Sequence, residues 1–166
     1  MDQGKKDRVT HVHRIYIRAS PQSIWDAITD PKWNGRYGYQ AVSEYDLKPG
    51  GKYRAKANDQ MKSYGLPEVM IDGEVLEVKP PFKLVQTYRW LFNEEHEKEG
   101  FTRLTFEIKA TEGGFSMLTV THDVTGAPMM SKATQSEFST DGGGGWDWIL
   151  SDIKSLLESG KTMSEA

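Results

Sequence analysis

The chain is 166 residues long, has no cysteine and carries a formal net charge of -3, with 21 Lys and Arg against 24 Asp and Glu. That length fits one domain with a substantial core, and without thiols there is no disulfide, thiolate nucleophile or cysteine zinc site. The cations are scattered, which excludes the clustered positive face that nucleic acid requires.

Residues 1–8 are a polar tail expected to fray, without an apolar run of signal-peptide length. No stretch approaches the roughly 18 apolar residues of a membrane span, so a soluble cytoplasmic protein is the default expectation. Residues 9–18 are rich in β-branched side chains, with Ile15 and Ile17 on one face and Arg14, Tyr16 and Arg18 on the other, which predicts the first strand. Ser20-Pro21 then supplies a capping hydroxyl and a first-turn proline, predicting a helix over 21–29 with Ile24, Trp25 and Ile28 at helical spacing. Asp30-Pro31 repeats the signal and predicts a second short helix carrying Trp33.

Residues 41–47 and 52–57 read as a hairpin about the turn Lys48-Pro49-Gly50-Gly51, and 58–68 as a mobile loop. Strands follow over 69–79 and 82–91, separated by Pro80-Pro81, with Leu84, Gln86, Tyr88 and Trp90 on one face. Residues 93–100 read as a charged, solvated loop. The clearest alternation is at 103–110, with Leu104, Phe106, Ile108 and Ala110 inward; a turn at 111–114 leads to the last strand, 115–124, where Leu118, Val120 and His122 share a face. Trp146, Ile149, Leu150, Ile153, Leu156 and Leu157 then form one apolar helical stripe. Its start is open: either a helix from near Ser131 weakened at Gly142 to Gly145, the favoured reading, or one capped by Asp141 and beginning at Gly142. Residues 159–166 are a polar tail, leaving 9–158 as the single domain.

One long helix across one curved antiparallel sheet is the economical α+β arrangement. The run from Ile15 to Pro31 resembles the opening of the activator of Hsp90 ATPase homologue 1-like family within the SRPBCC or START-like superfamily. Pro49 to Arg54, Asp72 to Leu84 and the closing Gly145-Trp146 helix are similar too, in the same order, so the resemblance covers about residues 9–158. It implies a helix-grip (Bet v 1-like) fold: a curved seven-stranded antiparallel sheet, two short helices and a long C-terminal helix around an internal cavity. The superfamily includes lipid carriers, ligand-binding allergens, polyketide cyclases and co-chaperone domains, so fold leaves function open.

His122 is the most chemically suggestive residue: an inward imidazole that either anchors a ligand or transfers protons, or is a structural histidine satisfied by a neighbouring backbone or hydroxyl group. No second residue completes a triad. His11 and His13 alternate on one strand without a third ligand and are expected at the surface. Gln86, Tyr88 and Trp90 form an aromatic wall with hydrogen-bonding tips, and Tyr53, Phe106 and Trp33 read as core or pocket lining. From the helix side the lining is Gly142, Trp146, Ile149 and Leu150, and the glycines serve either as a gate or as a flexible lead-in. Trp148 points away from the stripe, suggesting a homodimer contact or a covering loop. The leading expectation is a non-catalytic binder of a small hydrophobic or amphipathic molecule, with no cofactor or metal. The alternatives are a chaperone-binding module of the stress response and a cyclase- or aromatase-like enzyme.

Overall fold

The alternation at 103–110 becomes a central strand with Leu104, Phe106 and Ile108 buried, in a computed structural model that describes residues 7–139 and 142–165. Seven strands form one antiparallel sheet: β1 (Thr10–Ile17), β2 (Val42–Tyr45), β3 (Lys52–Lys56), β4 (Val69–Lys79), β5 (Lys83–Trp90), β6 (Thr102–Ala110) and β7 (Ser116–Asp123). Their order is β1-β7-β6-β5-β4-β3-β2, with register irregularities in β3–β4 and β4–β5 pairing where the sheet curves. The fold is the helix-grip arrangement, with the core between the sheet's inner face, α1 (Pro21–Thr29) and α6 (Gly145–Ser159).

Both sheet edges are closed, and each closure uses side chains in place of a strand. Along β1, His13 Nδ1 lies 2.9 Å from Asp147, Lys154 donates to the Tyr16 carbonyl at 2.6 Å, and Glu158 accepts from the Arg18 amide at 2.8 Å. From Asp147 to Glu158 is about 16 Å of helix, and His13 to Arg18 about the same length of strand, so α6 runs parallel to β1 and covers it. At β2, Asn34 of α2 (Pro31–Asn34) accepts from the Ser43 amide and donates to its carbonyl, both at 2.9 Å, as a neighbouring strand would.

Several sequence expectations are corrected. The helices number six among the described residues, not three: α3 (Asp59–Ser63) lies in the expected mobile loop, α4 (Glu94–Glu99) in the expected charged loop, and α5 (Pro128–Thr134) precedes α6. Asn58 and Asn93 cap α3 and α4 through their side-chain oxygens, a signal outweighed in the sequence reading by polar composition. The favoured continuous helix from Ser131 is broken: α5 ends at Thr134 and α6 begins at Gly145, capped by Gly144. A Cβ at Gly145 would collide with the Thr134 carbonyl oxygen, and Gly144 and Gly145 have φ of 100° and 53°, so this connection requires glycine. The proposed cap Asp141 lies outside the described residues, as do residues 1–6 of the N-terminal tail.

Asp152 is only 1% exposed, although helical spacing from Trp148 places it on the outer side. Its carboxylate accepts from the Gly38 and Met163 amides, both at 2.7 Å, tying the α2–β2 connection and the C-terminal segment to α6. His11 and His13, expected on the surface, are half-buried on the inner side of β1. Trp148 packs against Phe138 with ring centroids 4.3 Å apart and the rings tilted by 30°, so a loop residue partners the outward tryptophan. No helix among the described residues is long and apolar enough to cross a membrane.

Candidate functional site

Alternation on β3, β5, β6 and β7 brings Tyr53, Gln86, Tyr88, Phe106 and His122 to the inner face, where α6 adds Trp146. The rings form a continuous wall. Tyr45 stacks on Tyr53 at 4.6 Å and Tyr53 on Tyr88 at 6.2 Å, while Tyr88 meets His122 edge-on at 5.3 Å and Trp146 contacts Tyr88, Phe106 and His122. The middle of the sheet–helix interface is therefore filled by side chains.

His122 is fully matched. Its Nδ1 lies 3.1 Å from Trp146 Nε1, which can only donate, so Nδ1 is the unprotonated nitrogen and Nε2 carries the hydrogen. Nε2 then donates to Thr102 Oγ1 at 2.8 Å, leaving the Thr102 hydroxyl proton for the Tyr88 carbonyl at 2.8 Å. Every donor in this relay has an acceptor. Burial, with smaller contributions from His11 and His13, pushes the His122 pKa down to about 3, so the ring is neutral at pH 7. Both ring nitrogens are thus engaged by protein groups.

Two strand positions away the matching stops. Trp90 Nε1 is buried without a hydrogen-bond partner of good geometry among the described residues. Burial pushes Tyr88 up to about 12, offset in part by the nearby Trp90 indole N–H. The Trp90 N–H and the Tyr88 hydroxyl are thus polar neighbours within the wall. Phe92 and His96 pack around Trp90 with ring centroids at 5.0 and 5.4 Å, and His96 Nδ1 is a further buried, unpaired atom. Gln86, by contrast, is committed: its Oε1 accepts from the Tyr45 hydroxyl at 2.8 Å. His11 Nδ1, His13 Nε2 and Thr162 Oγ1 are also buried without a partner, and His11 lies directly across the β1–β7 ladder from His122.

Of the residues singled out from sequence, Tyr53, Gln86, Tyr88, Phe106, His122, Trp146 and Leu150 meet in the core, with Trp90 and Ile149 half-buried against it. Trp33 does not join them: it is 37% exposed beneath the Arg36 guanidinium, because the single turn of α2 buries Asn34 instead. Gly142 lies exposed in the turn before α6. Sequence reasoning missed Tyr39, whose hydroxyl donates to the Gly143 carbonyl at 2.7 Å and accepts from the Gly145 amide at 3.0 Å, pinning the glycine connection. It also missed Thr102, Phe92 and His96. Among the described residues no group of three His, Cys, Asp or Glu side chains is placed to hold a metal. Two open grooves of ≈ 520 and ≈ 450 Å³ lie on the other, outer side of β2, β3 and β4, lined by Lys52, Arg54, Asp72 and Phe101 among others.

A family model described as "Activator of Hsp90 ATPase homolog 1-like protein" matches residues 18–158. The structure is similar to CalU16 from Micromonospora echinospora, with TM-score 0.62 and 17% identity over 95% of this chain and 78% of that one. It is also similar to the Aha1 dimer from Colwellia psychrerythraea, with TM-score 0.60 and 20% identity over 92% and 98% of the two chains. An HSP90 activator from Plasmodium falciparum has TM-score 0.54 and 20% identity over 90% and 87%. At these identities the likenesses show the fold. No curated protein matches the sequence.

Proposed function

The chain belongs to the activator of Hsp90 ATPase homolog 1-like family, and from that premise we propose that it binds a small amphipathic molecule on the inner face of β5, without transforming it. The observation that carries this reading is Trp90 Nε1, a buried indole N–H without a hydrogen-bond partner of good geometry, next to the buried and unpaired Nδ1 of His96 in an aromatic wall. A buried donor without an acceptor costs about 1–3 kcal/mol, and most such groups in folded proteins are matched. A guest that offers an acceptor recovers that loss while covering apolar ring surface. His122, closed by Thr102 and Trp146 and held neutral, gives a cyclase-like reaction no acid or base. Native mass spectrometry of protein purified from its source is expected to find a retained small molecule. A ligand-free mass, with amide resonances of residues 86–92 unmoved by a panel of lipophilic metabolites, would overturn the reading.

A second reading, a protein-interaction module that contacts a chaperone or a second copy, is favoured by one observation on the outer face. Phe101 is 52% exposed and lies 4.3 Å from the Arg89 guanidinium beside the polar groove. Loss of partner capture in Phe101→Ser with unchanged small-molecule binding would favour this second reading.

A further inference from the structure

The β2 edge of the sheet is held by the one asparagine in the chain that precedes a glycine. Of the three asparagines, Asn58 and Asn93 are followed by Asp59 and Glu94, and Asn34 by Gly35. The side-chain amide of an asparagine is an electrophile within reach of the next residue's backbone nitrogen. Attack is fastest where that residue is glycine, because no Cβ obstructs closure of the cyclic imide. In the fold both partners of this reaction are occupied. Asn34 is 6% exposed, and its amide nitrogen donates to the Ile28 and Ser43 carbonyls at 3.2 and 2.9 Å. Its oxygen accepts from the Ser43 amide at 2.9 Å, and the Gly35 N–H donates to the Trp33 carbonyl.

That protection lasts only while β2 stays closed. The strand has four residues, ends the strand order and pairs with β3 alone, so beyond the Asn34 clasp it has little to hold it against local opening. Once Asn34 is released, Gly35 N bonds to Asn34 Cγ, the Cγ–Nδ2 bond breaks, and ammonia leaves with the proton that Gly35 gives up. Water then opens the imide at either carbonyl, giving aspartate or isoaspartate, with no change of oxidation state. The product no longer fits the clasp. A carboxylate at position 34 has no proton for the Ile28 and Ser43 carbonyls, and it places negative charge where the amide nitrogen now lies 2.9 Å from the Ser43 oxygen. Isoaspartate also lengthens the main chain by a methylene beside the single turn of α2. Either product leaves the β2 edge open, and β2 carries Tyr45, which joins the aromatic wall through Tyr53 and Gln86.

We propose that Asn34-Gly35 is a self-modification site gated by the β2 edge, where a transient opening of the clasp is converted into a permanent one. The test is to age the whole protein at mildly alkaline pH, with and without urea, and to count aspartate and isoaspartate at each asparagine by peptide mass spectrometry. In urea, conversion is expected at Asn34 ahead of Asn58 and Asn93. Without urea it should be at least about tenfold slower, since only the opened fraction reacts. Gly35→Ala, whose added Cβ would meet Val42 Cγ2 at 3.0 Å and so asks for a small shift there, should suppress the reaction in urea. Protein aged in urea and returned to buffer can be separated by the extra negative charge of the product, with the unmodified fraction of the same sample as reference. In the modified fraction amide exchange should be fast at residues 42–45 and unchanged at 104–108. Equal rates with and without urea, or an unslowed reaction in Gly35→Ala, would overturn the proposal. So would a modified fraction that keeps the reference protection at 42–45 or loses it at 104–108.

Discussion

Within one sheet face, His122 and the Tyr88–Trp90 pair differ in a way that separates structure from candidate function. At His122, three side chains and a carbonyl are arranged so that each donor finds an acceptor. At Trp90, half-buried beside Tyr88, an indole N–H is left without an acceptor of good geometry. An inward histidine is chemically the more suggestive residue, yet it is the fully matched one. What marks a site here is an incomplete hydrogen-bond inventory, and the difference can be tested through stability.

Trp146→Ala should have the largest effect. It removes a 6%-exposed indole from contact with Tyr88, Phe106 and His122 and strips His122 Nδ1 of its donor. Truncations of this kind cost about 3–5 kcal/mol, and urea denaturation should show it as a lower midpoint at unchanged slope. A loss under about 1 kcal/mol would mean that the matched region is not the keystone described here.

Acid should come next. A histidine whose folded pKa is depressed favours the neutral ring, so its contribution is fully present above the unfolded value near 6.5 and is lost as pH falls towards about 3. In that window stability should fall by about 1.4 kcal/mol per pH unit from this group. In His122→Gln this part of the slope should vanish. An identical pH dependence in the variant and the parent would assign the acid sensitivity elsewhere. His11, lowered by burial and by His13, adds in the same direction.

Thr102→Val keeps shape and removes one hydroxyl, leaving the His122 Nε2 donor unmatched. A loss of about 1–3 kcal/mol is expected, read from the same denaturation curves.

The contrast between the regions was only half legible in sequence, for physical reasons. Alternation carried the strands, including the inward placement of Leu84, Gln86, Tyr88 and His122, and the Ser20-Pro21 and Asp30-Pro31 signals carried α1 and α2. The short helices α3 and α4 are legible only through their asparagine caps, since neither has a buried stripe. Asp152 and Thr102 could not be assigned by periodicity, because their partners arrive from Gly38, Met163 and His122, far away along the chain. For the same reason the face of Trp90 could be read, while its missing partner could not: an absence of acceptors is a property of the assembled surface.

Tyr88→Phe should have the smallest effect of all. Thr102→Val and Tyr88→Phe each remove a single hydroxyl from the same buried wall, so area and cavity effects are closely matched. The Thr102 hydroxyl completes two bonds, whereas the Tyr88 hydroxyl has the Trp90 indole N–H as its one polar neighbour, and that N–H makes no bond of good geometry. Deleting a hydroxyl so loosely held breaks no well-formed hydrogen bond, so stability should stay within about 0.5 kcal/mol. If Tyr88→Phe instead cost as much as Thr102→Val, the hydroxyl would be matched in solution, by water or by closure onto Trp90. The site would then be as complete as the one at His122, and the argument for a guest would lose its foundation.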